Sequence, residues 1–134
     1  MKYITLIIGL LVVGLLSLLY LPSYIVPAPT AKPTKELTLE EKVVGSYEVK
    51  RDGDTYRTVL LENGVAENYK NGKKLDDDKW SISKDGELHI ANKDWNIHVI
   101  RINKDGNITG IADIEDGKRE DFPKENQHTI QKIK

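Results

Sequence analysis

The sequence predicts an all-β fold: an antiparallel meander of about eight strands forming a small barrel or sandwich, preceded by an N-terminal transmembrane helix. Three observations predict it. Glycine-bearing turn signals recur along the polar part of the chain: Arg51-Asp52-Gly53-Asp54, Glu62-Asn63-Gly64, Lys70-Asn71-Gly72, Lys84-Asp85-Gly86, Lys104-Asp105-Gly106 and Glu115-Asp116-Gly117. Between them lie short runs rich in β-branched and aromatic residues. In several runs apolar and polar residues alternate, with the period of a strand and not of a helix.

The chain starts differently. From Tyr3 to Val26 it reads YITLIIGLLVVGLLSLLYLPSYIV, without a charge. A helix of roughly 20 such residues crosses the ~30 Å hydrocarbon layer. Tyr3–Leu21 meets that length, Pro22 is a natural end, and Tyr20 and Tyr24 suit the headgroup level. A cleaved signal peptide is the competing expectation, but the apolar run is long and Pro29 disfavours cleavage around Val26-Pro27-Ala28. Residues 1–26 are therefore expected to be a membrane anchor or signal sequence, with residues 3–26 contacting the membrane. The short N-terminal tail favours an exported, extracytoplasmic domain, with a secreted or periplasmic product after cleavage as the alternative.

Residues 27–36 form a spacer in which Pro27, Pro29 and Pro33 forbid a helix. Thr38-Leu39-Glu40-Glu41 then has the form of a capping box and predicts one or two helical turns ending near Gly45. Residues 37–134 make up the small all-β domain.

Within that domain the expected strands are Ser46–Lys50, Thr55–Leu61, Val65–Lys70, Lys79–Ser83, Glu87–Ala91, Asn96–Ile102, Asn107–Ile114 and Thr129–Ile133, with a short one near Lys118–Asp121. Tyr47 and Val49, Trp80 and Ile82, and Leu88 and Ile90 alternate with polar neighbours, as in a sheet with one wet face. Asn96–Ile102 and Asn107–Ile114 break the alternation. Ile111 is the odd residue of the second, which points to a β-bulge or to local burial of both faces. Closure into a barrel would remove open edges. Strands this short imply an interior filled by Tyr47, Val49, Val59, Leu61, Trp80, Ile82, Leu88, Ile90, Ile97 and Val99, with at most a shallow pocket at one mouth.

The segment Val43-Val44-Gly45-Ser46-Tyr47-Glu48 resembles the opening of a lipocalin-like domain, where a short helix leads into a strand bearing Gly-x-aromatic. With LLENG, the NGKK turn, the KWSI strand, RINKDG and EDGKRED, the chain from about Leu37 onward resembles the small lipocalin-like β-domains of bacterial exported or membrane-anchored proteins. That resemblance implies an antiparallel barrel-like fold.

Charge and composition exclude several functions. Removing Lys2 from the 20 basic and 21 acidic side chains leaves the polar part at a net charge of −2. Nucleic acid is not an expected partner, because the basic excess it requires is missing. Without cysteine there is no disulfide, thiolate metal site or lipid-modified cysteine. If a turn at Lys93-Asp94 pairs Leu88 with Val99, then His89 faces His98 on the wet side, with His128 remote. Two imidazoles fall short of a zinc site. Asp76-Asp77-Asp78 is expected in a solvated loop, and Asn103–Asn107 lacks the spacing of a calcium loop. Ser46, Ser81 and Ser83 lie inside strands without a nucleophile elbow, and Glu120-Asp121 suits a charged surface.

No catalytic, cofactor or metal residues are therefore assigned, and the chain is expected not to be an enzyme. The expected function is a membrane-anchored binding module for a protein or other envelope partner. Trp95, His89, His98 and Tyr69 are the candidate interaction surface; Trp95 is either a binding anchor or packed across the barrel mouth. The alternative is a carrier or sensor of a small apolar ligand.

Overall fold

A computed structural model describes residues 34–134. The expected anchor, residues 1–26, and the spacer up to residue 33 lie outside the described residues. Among the described residues no helix is long and apolar enough to cross a membrane.

Thr38 caps helix α1, Leu39–Val43, through the reciprocal capping box expected of it. The strands follow: β1 Gly45–Arg51, β2 Asp54–Leu60, β3 Val65–Lys70, β4 Lys73–Ile82, β5 Leu88–Ala91, β6 Ile97–Ile102, β7 Ile108–Glu115, β8 Lys118–Asp121 and β9 Thr129–Lys132. A 3₁₀ turn at Lys124–Asn126 precedes β9.

Two kinds of turn join these strands. Three hairpins are two-residue turns, Asp52-Gly53, Asn71-Gly72 and Asp116-Gly117, with positive φ at both residues. This type matches the twist of paired strands. Four others are wider and share one hydrogen-bond pattern, closed by Leu61 and Val65, Ser83 and Glu87, Asn92 and Asn96, and Asn103 and Asn107. Each needs a left-handed residue at its fourth position. Gly64, Gly86 and Gly106 supply it in three of them, and Trp95, at φ +64°, in the other.

Consecutive strands pair antiparallel from β1 to β7, and β9 closes the ring by pairing with both β1 and β7. The result is a closed eight-stranded antiparallel barrel. β8 is extra. β9 takes Ile108 and Thr109 of β7, and β8 takes Ala112–Glu115 of the same edge. The expected bulge exists: the β6–β7 register shifts between Val99 and Ile100 and leaves Ile111 unmatched.

Large side chains fill the end of the barrel beside α1. Val43, Tyr47, Leu60 and Leu88 are fully buried there, and Trp80 nearly so. The Tyr47 hydroxyl donates to the Val43 carbonyl at 2.7 Å, and Trp80 Nε1 donates to the Leu61 carbonyl at 2.8 Å. These bonds satisfy the two polar tips that the core has swallowed. Burial pushes the Tyr47 phenol up to about 12. At Gly45 the Lys134 carbonyl comes so close that a β-carbon would collide with it.

Three expectations are corrected. β4 begins at Lys73, so Asp76-Asp77-Asp78 lies in a strand and not in a loop. In β2, Leu60 faces inward in place of Val59 and Leu61. The Asp52-Gly53 turn pairs Gly45 with Leu60 and Tyr47 with Thr58, so an inward Tyr47 brings an inward threonine. In β6, the inward residues are His98 and Ile100, not Ile97 and Val99. The turn runs from Asn92 to Asn96, one residue longer than a Lys93-Asp94 turn, and pairs Leu88 with Ile100 and Ile90 with His98. One residue of slip reverses every face of a strand. Consecutive residues of β6 are buried, Val99 fully and Ile100 nearly so, so this strand shows no wet face there.

Candidate functional site

Away from α1 the barrel is not filled. A cavity of about 480 Å³ opens there, toward the end that carries the two-residue turns. It opens at one mouth, as the alternative to a packed interior expected, but is larger than a shallow pocket, and the reason lies in the inward side chains. Past Tyr47, Leu60 and Trp80, the strands turn in small or polar residues: Thr58 on β2, Asn68 on β3, Asp78 on β4 and Gly110 on β7. At Gly110 an added β-carbon would meet nothing within 4 Å. Barrel strands enclose space wherever their inward side chains are too small to meet.

The cavity has two chemistries. Its floor is apolar, made by Ile90, Ile100, Ile108 and Ile130. Its upper wall is polar and comes from many elements: Arg51 at the end of β1, Asn68, Asp78, His98 at the start of β6, Asp113 near the end of β7, and Asn126 and His128 before β9. The last two enter because β9 is short, which leaves the space beyond Tyr47 and Glu48 of β1 to the preceding 3₁₀ segment.

Much of the polar wall is internally bonded. Thr58 Oγ1 donates to Asn68 Oδ1 at 3.0 Å, and Asn68 Nδ2 donates to Asp76 Oδ1 at 2.9 Å and Asp78 Oδ2 at 2.7 Å. Burial raises the Asp78 carboxyl above the usual aspartate value, and the Asn68 bond opposes it. His98 Nδ1 lies 2.6 Å from Asp113 Oδ1 on the neighbouring strand. A carboxylate so placed fixes the ring and its tautomer, leaving the other nitrogen available to a bound molecule. Among the described residues no hydroxyl is hydrogen-bonded to His98. No three His, Asp or Glu side chains among the described residues form a metal-binding group.

The four candidate surface residues do not form one patch. His98 lines the cavity. His89 lies on the outer face, its Nε2 3.6 Å from Glu87 Oε2. Tyr69 is held on the outside of β3, with Arg57 over its ring at 4.8 Å and its hydroxyl donating to Glu67 at 2.9 Å. Trp95 is 79% exposed. It projects from its turn instead of packing across the mouth. His128, expected to be remote, lines the same cavity as His98.

Comparison with protein-family models, curated proteins and solved structures finds no match to this chain.

Arg51, Asp78, Asn68 and Asp113 were missed as cavity residues, although the signal for two of them was present. Arg51 follows Val49 by two along β1, and Asp78 precedes Trp80 by two along β4. Strand periodicity carried to the end of each run turns both inward. Asn126 and His128 had no such signal, because they enter from an irregular segment.

Proposed function

We propose that the barrel binds a small amphiphilic molecule, its apolar part on the isoleucine floor and its polar part at the upper wall, without catalysing a reaction on it. The observation that carries this reading is the cavity itself. A cleft of this size with apolar lining and a few convergent polar groups is the ordinary form of a small-molecule site. Lipocalin-like carriage of an apolar ligand is the corresponding proposal on family. The apolar segment 3–26 supports a domain tethered at a membrane and facing away from the cytoplasm. Titration of the full chain in lipid nanodiscs with an apolar fluorescent probe, corrected with protein-free nanodiscs, tests the binding. Saturable one-to-one enhancement supports it; a signal equal to that of the empty nanodiscs overturns it.

A second reading, an interaction module for an envelope partner, is favoured by Trp95. A bulky aromatic, exposed and held at a backbone angle that glycine adopts without strain, suits an anchor for another macromolecule. Pull-down from envelope extracts with wild type and Trp95→Gly tests it. A partner retained by wild type and lost by the variant supports this reading, and equal retention removes Trp95 from it.

A further inference from the structure

We infer that the ligand of this cavity carries both a positive and a negative group on its polar end: a zwitterion of the amino-acid class with an apolar side chain. This rests on the cavity reading and makes it specific.

Two charged side chains lining the cavity make no direct ion pair, although His98 acts on one of them, Asp78, from a distance. Arg51 ends β1, and its cross-strand partner Asp54 is taken by Lys70 Nζ at 2.8 Å. Asp78, on β4, is held by the neutral amide of Asn68 at 2.7 Å. Among the described residues neither Arg51 nor Asp78 makes an ion pair. Of the acids near them, Asp113 lies against His98 Nδ1, and Asp76 shares the Asn68 amide with Asp78.

The placement of this pair matters as much as its freedom. β1 and β4 are three strands apart around a ring of eight, so Arg51 and Asp78 reach in from different walls of one cavity. A guanidinium offers a rigid fork for a carboxylate. A half-buried carboxylate, already partly stripped of water, gains most from an ammonium. A purely anionic head would leave the half-buried Asp78 desolvated without a partner, which is the costly outcome. A purely cationic head would make no use of Arg51, which stands exposed at the rim, and a neutral head would use neither. The zwitterion alone answers both walls, while its side chain lies on Ile90, Ile100, Ile108 and Ile130.

The test uses four probes of one chain length: 2-aminooctanoate, octanoate, octylammonium and octanol. Each is titrated by calorimetry into the full chain in nanodiscs, with empty nanodiscs subtracted. The aminooctanoate is expected to bind about ten- to a hundredfold more tightly than any of the other three. Arg51→Gln is expected to reduce it to the affinity of octylammonium, and Asp78→Asn to that of octanoate. The ranking on the wild-type protein decides the matter even if a variant fails to fold. Equal binding of all four overturns the zwitterion and leaves the cavity reading intact. A preference for octanoate or octylammonium also overturns it. Binding of none overturns the cavity reading, and this inference with it.

Discussion

Trp95 holds, in the turn between β5 and β6, the left-handed backbone position that Gly106 holds in the turn between β6 and β7. Their φ angles are +64° and +88°, and the closing hydrogen bonds of the two turns correspond. A side chain at such an angle costs stability that glycine does not. Trp95 recovers little by packing, since it is mostly exposed. Trp95→Gly is therefore expected to stabilise the domain by about 1 kcal/mol in urea denaturation. A loss of stability would mean that the indole makes contacts that outweigh the strain.

Arg119 of β8 reaches back across β7 and β6 to Glu87, with two bonds of 2.8 and 3.1 Å, while its Nε donates to Asp121 at 2.8 Å. The guanidinium lowers the Glu87 carboxyl below its ordinary value. A depressed carboxylate contributes stability that is present above its unfolded value and lost as pH falls through its folded value. The acid limb of the stability curve should thus be shallower in Glu87→Gln than in wild type. Amide exchange in β8 should also quicken in that variant at neutral pH. Identical acid limbs would show that the bridge does not hold β8.

Closure of the barrel depends on Gly45. Its φ of +143° and the adjacent Lys134 carbonyl leave no room for a β-carbon. The Ser46 amide donates to that same carbonyl at 2.9 Å. Gly45→Ala is expected to cost about 2 kcal/mol or more and to expose the Ser46 and Ile133 amides to exchange. Unchanged protection at those amides would contradict the seam between β1 and residues 133–134.

Asp78 carries the opposite pH signature to Glu87. Its carboxyl is raised, chiefly by burial. A raised acid disfavours the folded state once it ionises, so its penalty is full above its folded value and relieved as pH falls below it. Asp78→Asn should therefore be more stable than wild type at neutral pH, with the gain shrinking toward acid. Thermal melts of both proteins across pH 3 to 7 check this. A variant less stable at neutral pH would mean that the carboxylate is needed for the fold rather than tolerated by it.

Much of the architecture was legible because it rests on local chemistry. The Asp-Gly and Asn-Gly pairs, the capping box at Thr38 and the odd residue Ile111 each mark one backbone event, and each event occurs. The turn at Asn92–Asn96 was legible as a turn but not in its length. Its left-handed residue is a tryptophan, and that single residue reversed the faces of β6. The cavity stayed hidden for a different reason. Reading apolar residues as inward finds a core, but the inward Thr58, Asn68, Asp78 and His98 are polar, and Gly110 marks space by what it lacks. Only the closed ring brings Arg51 and Asp78 to the same hollow.

Gly110→Val tests the central claim, an unfilled barrel end, most directly. Its backbone carries no positive φ, it pairs with inward Ile100, and nothing stands where a side chain would go. Urea denaturation and probe titration of this variant should show stability equal to wild type or higher by about 0.5–1 kcal/mol, together with loss of probe binding. Destabilisation by several kcal/mol, with probe binding retained in the folded fraction, would show that Gly110 faces packed protein and not the ligand space.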